Sequence, residues 1–483
     1  MRILIQCGDH FENQIRIKTL VEELLCFGYE PYVLVYNSCH GRLLLNSGAK
    51  IITLNDYTSK IDIALPKSLN EELDFGIRYA DIIKFEQLRR PMIIWPGQIK
   101  KTLQSIKKHY IAIKKIIKKY NPKFIFIWNG YTGYVANILR VCVDRFGISA
   151  AYMERGILKD SLFVDSYGVN GASSLSYLSS EYFDSIDLSE ADSIYIKKIF
   201  LPKKIKKIQN IKKVFFPLQV QHDTNIVMYS PFSSMREAFL KIYGKLNHSG
   251  MKFLLRPHPE EEKDVCLNIP AFKNVAISPN KTLQEWLKWS DIVVTINSTV
   301  GLEAIIAGKP VITMGDSIYS SAGLTFKLDD DIKIFDSNKI YQRLIKYLKY
   351  LLENNILITS KKSNCNVIKK CMNLPIQSET YDKERLRIKP SIHNGINFAN
   401  VYLDVPLDTC VDITYGNYRK PIDIAWVKKI VSQNIGTSNC AIRSVEHFNK
   451  SSEFSVKVVM ESLNAKDDFN YDMTIDIYGN IIE

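Results

Sequence analysis

The sequence lacks several features that would indicate a protein class at once. It contains no run of about 18 apolar residues, so no transmembrane helix is expected. Its 9 cysteines form no CxxC pair, which argues against a zinc site or a disulfide framework and favours a reducing cytoplasm. No solenoid repeat and no low-complexity tract is visible. The opening residues, MRILIQCGDHFENQ, lack the layout of a signal peptide and predict an immediate β-strand.

Acidic residues are absent between Gln87 and Val143, in a chain whose formal net charge is +13. Within that window, residues 99–120 place apolar side chains at helical spacing, with lysine pairs on the other face. Residues 197–213 form a second basic run. These segments predict either a solvated helix face or a surface that docks onto an anionic membrane or an acidic substrate. Nucleic acid is not an expected partner, because no known reader motif accompanies the charge.

The alternation of apolar strands and amphipathic helices predicts an α/β fold with two Rossmann-like domains facing a cleft. MRILIQCG, a helix ending at FGYE, and PYVLVYN form a strand–helix–strand unit, which is typical of a parallel sheet. The rhythm restarts at KKVFFPLQV and continues through MKFLLRPHP, DIVVTIN and KPVITMG. We therefore predict an N-terminal Rossmann-like domain at residues 1–213 and a second Rossmann-like domain at residues 214–360. Residues 157–213 have an irregular pattern and are expected to be loops and connecting helices.

Residues 361–483 lose this rhythm. SVKVVMES and YDMTIDIYGNIIE alternate like antiparallel strands. We expect a separate C-terminal α+β extension, and its sequence predicts no chemistry.

One helix start in the second half has the character of a phosphate site. In DIVVTINSTVGLEAIIAGKPVITMG, residues 291–315, a buried strand ends at Asn297, and Ser298 and Thr299 open a helix. Hydroxyls and backbone N–H groups at a helix N-terminus favour a bound phosphate. Glu303, one turn further, could reach ribose hydroxyls. Ordinary helix capping by Ser298 is the alternative, and it is compatible with phosphate binding.

His258 lies between two prolines in LLRPHPEEE, at the end of the preceding strand. The carboxyl ends of parallel strands share one sheet edge, so we expect His258 and Ser298 to face the same cleft. The imidazole could then donate to a phosphate or protonate a leaving phosphate. Arg256 in the same turn is a further candidate for binding substrate. A structural role for His258 at the strand end is the alternative.

Two carboxylates precede these residues. Glu154 lies in YMERG, at a strand end of the first half, and Asp223 lies in FPLQVQHDTNI, where the second half begins. A nucleophilic carboxylate paired with an acid/base carboxylate is what retaining glycosyl chemistry requires. The chain has 51 acidic residues, so spacing alone does not single these two out.

Several motifs kept in order resemble the capsule polysaccharide biosynthesis family, whose best understood members are retaining β-Kdo glycosyltransferases. The motifs are MERGILKDSLFVDSYGVNGASSL, PLQVQHDTNI, RPHP and VVTINSTVGLEAIIAGKPVITMG with YSSAGLT, within roughly residues 120–330. The resemblance implies a GT-B fold, a CMP-activated sugar donor, no cofactor or metal, and a glycan or glycolipid acceptor. It also implies that residues 1–213 form the acceptor side and residues 214–360 the nucleotide-sugar side. It also implies a cytoplasmic protein, with the basic segments allowing peripheral contact with the inner face of the bacterial inner membrane.

The resemblance implies roles for individual residues. Asp223 would be the nucleophile on the anomeric carbon, Glu154 the acid/base for the acceptor hydroxyl, and His258 a ligand of the donor phosphate. The remaining candidates for substrate contact are Arg256, Ser298, Thr299, Glu303, Asn297, Gln219, Asp165 and Asn170.

Two alternatives to a Kdo transferase remain open. A related GT-B enzyme using CMP-sialic acid or a UDP-sugar, with or without inversion, would use the same phosphate-binding residues, with Asp223 as a base or a bystander. A GT-B-like assembly protein would bind nucleotide or glycan without turnover. The configuration of the product distinguishes the first alternative, and binding without transfer distinguishes the second.

Overall fold

The computed structural model describes residues 1–8, 11–64, 72–74, 77–79, 82, 96–204, 211–220, 223–232, 234–248, 250–259, 272–278, 280–330, 336–358, 364–373, 440–450, 453–462 and 470–476. The strands are β1 (Arg2–Gln6), β2 (Glu30–Val35), β3 (Lys50–Thr53), β4 (Glu72–Asp74), β5 (Ile77–Arg78), β6 (Phe124–Trp128), β7 (Ser149–Arg155), β8 (Leu162–Asp165), β9 (Lys213–Pro217), β10 (Lys252–Arg256), β11 (Val275–Ile277), β12 (Ile292–Thr295), β13 (Val311–Thr313), β14 (Ile356–Leu357), β15 (Cys440–Lys450), β16 (Glu453–Ser462) and β17 (Asn470–Asp476). The helices are α1 (Phe11–Cys26), α2 (Leu54–Thr58), α3 (Pro96–Tyr120), α4 (Tyr134–Phe146), α5 (Ser180–Asp184), α6 (Glu190–Phe200), α7 (Thr224–Tyr229), α8 (Met235–Leu246), α9 (Leu283–Trp289), α10 (Thr299–Ile306), α11 (Ser337–Asn354) and α12 (Asn364–Asn373).

The first unit is built on a seven-stranded sheet in the order β14-β8-β7-β6-β1-β2-β3. Strands β7, β6, β1, β2 and β3 are parallel, while β8 and β14 join antiparallel at one edge. Strand β6, FIFIW, has four successive buried residues. A parallel sheet covered on both faces requires such continuous apolar runs, which is why the sequence pattern could predict these strands.

The second unit is a five-stranded sheet in the order β11-β10-β9-β12-β13, and every pair in it is parallel. Its central strands are also apolar runs, with all four residues of β12 buried. The two units, with helices between their strands, confirm the predicted α/β fold class with two Rossmann-like parts.

The irregular segment 157–213 contains more order than its sequence indicates. Residues 162–165 form the buried strand β8, and α5 and α6 follow. Arg343 of α11 clamps α5: its Nε and Nη2 donate to the two carboxylate oxygens of Asp184 at 2.8 and 2.6 Å. Its Nη1 also donates to the carbonyl oxygen of Gly323, at 2.8 Å. One guanidinium therefore ties the connecting segment to the second unit.

The chain returns to the first unit after the second sheet is complete. Strand β14 pairs with β8, and helix α12 packs against α1, β7 and β8. The predicted domain boundaries stay a prediction. Beyond α12, strands β15, β16 and β17 form an antiparallel sheet, as the alternation in that region predicts.

The predicted basic helix is α3, and its apolar side chains at positions 103, 106, 110, 113 and 117 are buried. Part of its basic face is covered, because Lys114 forms an ion pair with Asp74. Tyr110 donates a hydrogen bond to the same carboxylate at 2.7 Å, and burial raises the pKa of Tyr110. Among the helices that the structure describes, none combines the length and the apolar character needed to cross a bilayer.

Candidate functional site

Three adjacent parallel strands of the second sheet end at one edge and supply most of the predicted site. Strand β9 lies between β10 and β12 and pairs with both in parallel. The loops after β9, β10 and β12 carry Asp223, His258 and Ser298 respectively. His258 and Ser298 therefore follow strands that end on the same edge, on either side of the strand that leads to Asp223. This is the sheet edge at which α/β folds bind ligands.

Gln219 and Asn297 join the ends of β9 and β12. The Gln219 side-chain amide donates to Oδ1 of Asn297 at 3.0 Å, and the Asn297 backbone N–H donates to Oε1 of Gln219 at 3.3 Å. Asn297 Nδ2 donates to the carbonyl oxygens of Asn225 at 2.7 Å and Tyr229 at 3.3 Å. Both side chains are buried. The structure therefore places them as supports of α7.

Helix α7 in turn positions Asp223, its N-cap. Oδ1 of Asp223 accepts the backbone N–H of Asn225 at 3.0 Å. The next residue, Thr224, shares a hydrogen bond of 2.9 Å with the hydroxyl of Thr132, which belongs to the first unit. Asp223 thus lies where the two units meet.

Glu154 approaches from the first unit, near the end of β7. Its Oε2 accepts a hydrogen bond of 2.9 Å from Nδ2 of Asn129, and its Oε1 accepts its neighbour Arg155 N–H at 2.9 Å. Burial raises the pKa of Glu154, the two hydrogen bonds oppose that rise, and the negative charge of Asp223 adds to it. The negative charge of Asp223 acts on Glu154, so the two carboxylates, predicted from different halves, lie within electrostatic range of each other.

The start of α10 forms the third part of the site. Ser298 is its N-cap and accepts the Val300 N–H at 3.2 Å, while Gly301 N–H donates to the Ser298 carbonyl at 2.9 Å. The Tyr319 hydroxyl donates to the same carbonyl. A Cβ on Gly301 would lie 2.1 Å from that hydroxyl oxygen. Glycine is therefore required here by lack of space. The backbone N–H groups of Val300 and Gly301 already donate to Ser298. Thr299 is exposed, so its N–H and hydroxyl are the groups best placed to bind a phosphate.

Residues from both units line one small cavity. Glu154 and Asn170 from the first unit and Thr299 and Tyr319 from the second are on its walls. The structure therefore brings three of the predicted residues, Glu154, Asn170 and Thr299, into contact with the same space.

Arg256 is the last residue of β10, two residues before His258, and its charge acts on Glu303 of α10. Burial raises the pKa of the half-buried Glu303, and the positive charge of Arg256 opposes that rise. The Arg256 carbonyl accepts the Leu218 N–H at 2.8 Å, which ties the end of β10 to the end of β9. Arg256 thus links the ends of β9 and β10 and acts electrostatically on α10.

Asp165 is enclosed and fully engaged by neighbouring groups. Its carboxylate accepts the hydroxyls of Ser173 and Ser174 at 2.8 and 2.6 Å, the Tyr167 N–H at 2.7 Å and the Asn355 amide at 3.2 Å. Burial raises its pKa against these hydrogen bonds. The geometry makes it the anchor of the loop that presents Asn170, which has a positive φ of 56°.

Sequence reasoning missed Asn129, Thr132 and Tyr319. Asn129 has a φ of 57° and is followed by Gly130 at 92°. A Cβ on Gly130 would lie 2.7 Å from the Tyr152 ring, so this turn needs glycine. The dipeptide Asn-Gly directly after a buried strand was the available signal for Asn129.

Among the residues that the structure describes, no group of three or more His, Cys, Asp or Glu side chains could hold a metal ion.

The fold and this edge define a two-unit α/β protein with a polar cleft at the carboxyl ends of its parallel strands. Residues 189–358 match the family model described as capsule polysaccharide biosynthesis protein. The match supports the resemblance to the capsule polysaccharide biosynthesis family that the motifs predict. The segment contains Asp223, His258, Ser298 and Glu303, while Glu154 lies outside it.

Two relatives and one solved structure are similar to the chain. FixF of Sinorhizobium fredii (strain NBRC 101917 / NGR234) is 26% identical over 282 residues, which cover 54% of this chain and 67% of FixF. The capsule polysaccharide export protein KpsS of Escherichia coli is 27% identical over 122 residues, which are 23% of this chain and 31% of KpsS. The KpsC β-Kdo 2,7-transferase structure of Thermosulfurimonas dismutans is 18% identical, with a TM-score of 0.38, over 54% of this chain and 88% of that chain.

Proposed function

We propose that the chain is a glycosyltransferase of surface polysaccharide synthesis that transfers Kdo from CMP-Kdo to a glycan acceptor with retention. The observation that carries the proposal is the approach of Glu154 and Asp223 from different units, beside the serine- and threonine-bearing start of α10. Two carboxylates in different environments at one cleft suit a double displacement. The match of residues 189–358 to the capsule polysaccharide biosynthesis model supports a role in capsule polysaccharide synthesis.

In the first step, a carboxylate oxygen of Asp223 attacks the anomeric carbon of the donor. The bond from that carbon to the phosphate oxygen breaks, and its electron pair leaves with CMP. Asp223 suits this role because its N-cap hydrogen bond orients the carboxylate, and because α7 is anchored by Asn297. The charge that develops on the leaving phosphate is stabilised by Arg256, His258 and the start of α10.

In the second step, the acceptor hydroxyl attacks the same carbon from the opposite side. Its proton passes to Glu154, and the bond to Asp223 breaks with return of the electron pair to that carboxylate. Two inversions at one carbon give net retention. Glu154 suits the acid/base role because burial raises its pKa toward neutral pH, where a carboxyl group can both accept and release a proton.

Intact mass spectrometry of the protein incubated with CMP-Kdo tests the mechanism. We expect wild type to gain one covalently bound Kdo, Asp223→Ala to gain none, and Glu154→Gln to retain the adduct when acceptor is added. Rapid turnover to an inverted product without any adduct would sink the mechanism. Adducts or transfer with CMP-sialic acid or a UDP-sugar instead would support the alternative donors, and binding without transfer from any donor would support an assembly role.

The proposed membrane contact is favoured more by residues 197–204 than by α3. Leu201 follows α6 and is 71% exposed, and Ile194, about one helical turn before this stretch, is 60% exposed. Lys197, Lys198 and Lys203 in the same stretch are also exposed. Apolar side chains among lysines are the combination that binds an anionic lipid surface. We propose that this stretch, rather than the partly covered basic face of α3, contacts the membrane; residues 205–210 of the predicted segment lie outside the described residues.

A further inference from the structure

A large cavity lies at the amino ends of β10 and β11, on the sheet edge opposite the candidate site. Its volume is about 690 Å³, and its walls include His248, Lys252, Lys273, Asn274 and Trp289. We call the cavity lined by these five residues the basic pocket. Its volume lies within the range of roughly 300–1,000 Å³ typical of ligand sites. A single small anion or a flat lipid surface would not need a cavity of this size.

Positive charge converges on the basic pocket. Lys213 and Lys252 occupy paired positions on the adjacent strands β9 and β10, so like charges stand side by side. Lys252 and Lys273 are exposed, and among the described residues neither has an ion pair. The nearby carboxylate of Asp291 instead accepts the backbone N–H groups of Lys212 and Lys213, at 2.9 Å each. An anion from outside would relieve this repulsion.

One wall of the basic pocket is aromatic and rigid. Trp289 is half-buried, packs edge-on against Trp286 and has the Lys213 ammonium 5.7 Å from its ring centroid. Asn274 is fixed by hydrogen bonds with the Tyr243 hydroxyl and the Asn247 amide oxygen, both at 2.9 Å. An indole face beside ammonium groups matches a sugar ring that carries a carboxylate, because the ring stacks while the carboxylate pairs.

We propose that the basic pocket binds an anionic oligosaccharide, a segment of the acidic glycan on which the enzyme acts. This inference rests on the proposed function for the identity of the glycan. It adds a second binding site on the face opposite the cleft, which would hold the growing polymer while its end is extended. The recognition chemistry is one carboxylate per sugar, matched to Lys252 and Lys273.

Calorimetric titration with a sialic acid pentamer, whose sugars carry one carboxylate each, tests the site. Maltopentaose is the uncharged control, and saturating CMP keeps nucleotide in the cleft. We expect the charged oligomer alone to bind, and Lys252→Gln combined with Lys273→Gln to weaken it about ten-fold. Lys241→Gln removes an exposed charge from α8 without touching the pocket and should leave binding unchanged.

Equal binding of maltopentaose, or unchanged affinity in the double lysine variant, overturns the inference. So does loss of binding to anionic vesicles in that variant without any binding of the oligomer. Donor turnover is measured on the same preparations. Turnover without oligomer binding supports the proposed function and contradicts glycan binding at the basic pocket. Oligomer binding without turnover from any nucleotide sugar supports binding at the basic pocket and contradicts the proposed function.

Discussion

Nδ2 of Asn129 lies 2.9 Å from Oε2 of Glu154, so an amide at the end of β6 holds a carboxylate at the end of β7. The donor can do this because Asn129 adopts a left-handed backbone conformation, which turns the chain back toward β7. Burial raises the pKa of Glu154, and the hydrogen bond from Asn129 lowers it by favouring the ionised carboxylate. Together with the Arg155 N–H and the charge of Asp223, these two effects set the pH at which Glu154 can accept a proton.

Replacement of Asn129 by alanine should raise the pKa of Glu154 further. The ionised carboxylate loses a donor while its burial is unchanged, so the acid limb of kcat/KM moves to higher pH. We expect about a ten-fold loss of kcat/KM near neutral pH, because the free energy of one hydrogen bond to a charged group corresponds to a change of about that size. Carbon-13 NMR titration of the glutamate carboxyls, with Glu154→Gln to assign the signal, checks the direction. An unmoved signal would contradict a role for this hydrogen bond.

Replacement of Asp223 by asparagine should move the same pKa in the opposite direction. Asp223 raises the pKa of Glu154 through its negative charge, and the neutral amide removes that charge with little change of shape. Because this variant is expected to be inactive, NMR titration is the measurement. If the pKa of Glu154 rises or stays the same, the two carboxylates do not interact as described.

Much of the fold could be predicted from the sequence, because parallel strands covered on both faces read as apolar runs. Strands β1, β6, β9 and β12 are such runs. Strand β8 has only four residues, and its outer partner β14 is two residues long and arrives from the far end of the second unit. Strand β14 has no local signal, since a distant partner decides that it becomes a strand. Strand β8 pairs with its sequence neighbour β7, but its apolar run is too short to predict a strand by itself.

The site could be predicted at the level of strand ends and not at the level of hydrogen bonds. The sheet edge correctly relates His258 to Ser298, because parallel topology alone decides this. Gln219 and Asn297 were plausible substrate contacts, yet each uses its side chain on the other across 78 positions of sequence. Only tertiary structure determines such a partner. Helix α7 is also difficult to predict locally, because a brief apolar run such as NIVMY suits either a strand or a helix.

Gly301→Ala should destabilise the start of α10. The added methyl would lie 2.1 Å from the Tyr319 hydroxyl oxygen and 3.0 Å from Thr295 Cγ2. We expect a loss of about 2 kcal/mol in the free energy of unfolding, with weaker binding of CMP. Tyr319→Phe in the same chain removes the oxygen and should restore part of the loss. Urea denaturation of both variants measures this; a double variant no more stable than Gly301→Ala would mean that the clash lies elsewhere.

Asp184→Asn should destabilise the protein in a pH-dependent way. The Arg343 guanidinium lowers the pKa of Asp184, so the ion pair stabilises the fold above the ordinary pKa of about 4 and is lost as the pH falls through the lowered value. Asp184 is about one third exposed, so we expect roughly 1–2 kcal/mol near neutral pH. Lys339→Met removes only a 3.8 Å surface contact with Asp184 and is the matched control. A difference between wild type and Asp184→Asn that persists in acid would contradict this account.

Leu201→Ser tests the proposed membrane contact at its most exposed apolar side chain. Leu201 ends α6 in a left-handed conformation with a φ of 48° and projects beside lysines, so its insertion would add to electrostatic attraction. We expect several-fold weaker cosedimentation with vesicles containing anionic phospholipid, and no binding of either protein to neutral vesicles. Leu45 is 64% exposed in the first unit without such a lysine cluster, so Leu45→Ser is the control. Equal losses of vesicle binding in the two variants would show that any exposed leucine contributes, whatever its position. Vesicle binding that is unchanged by added salt would contradict a role for the lysines.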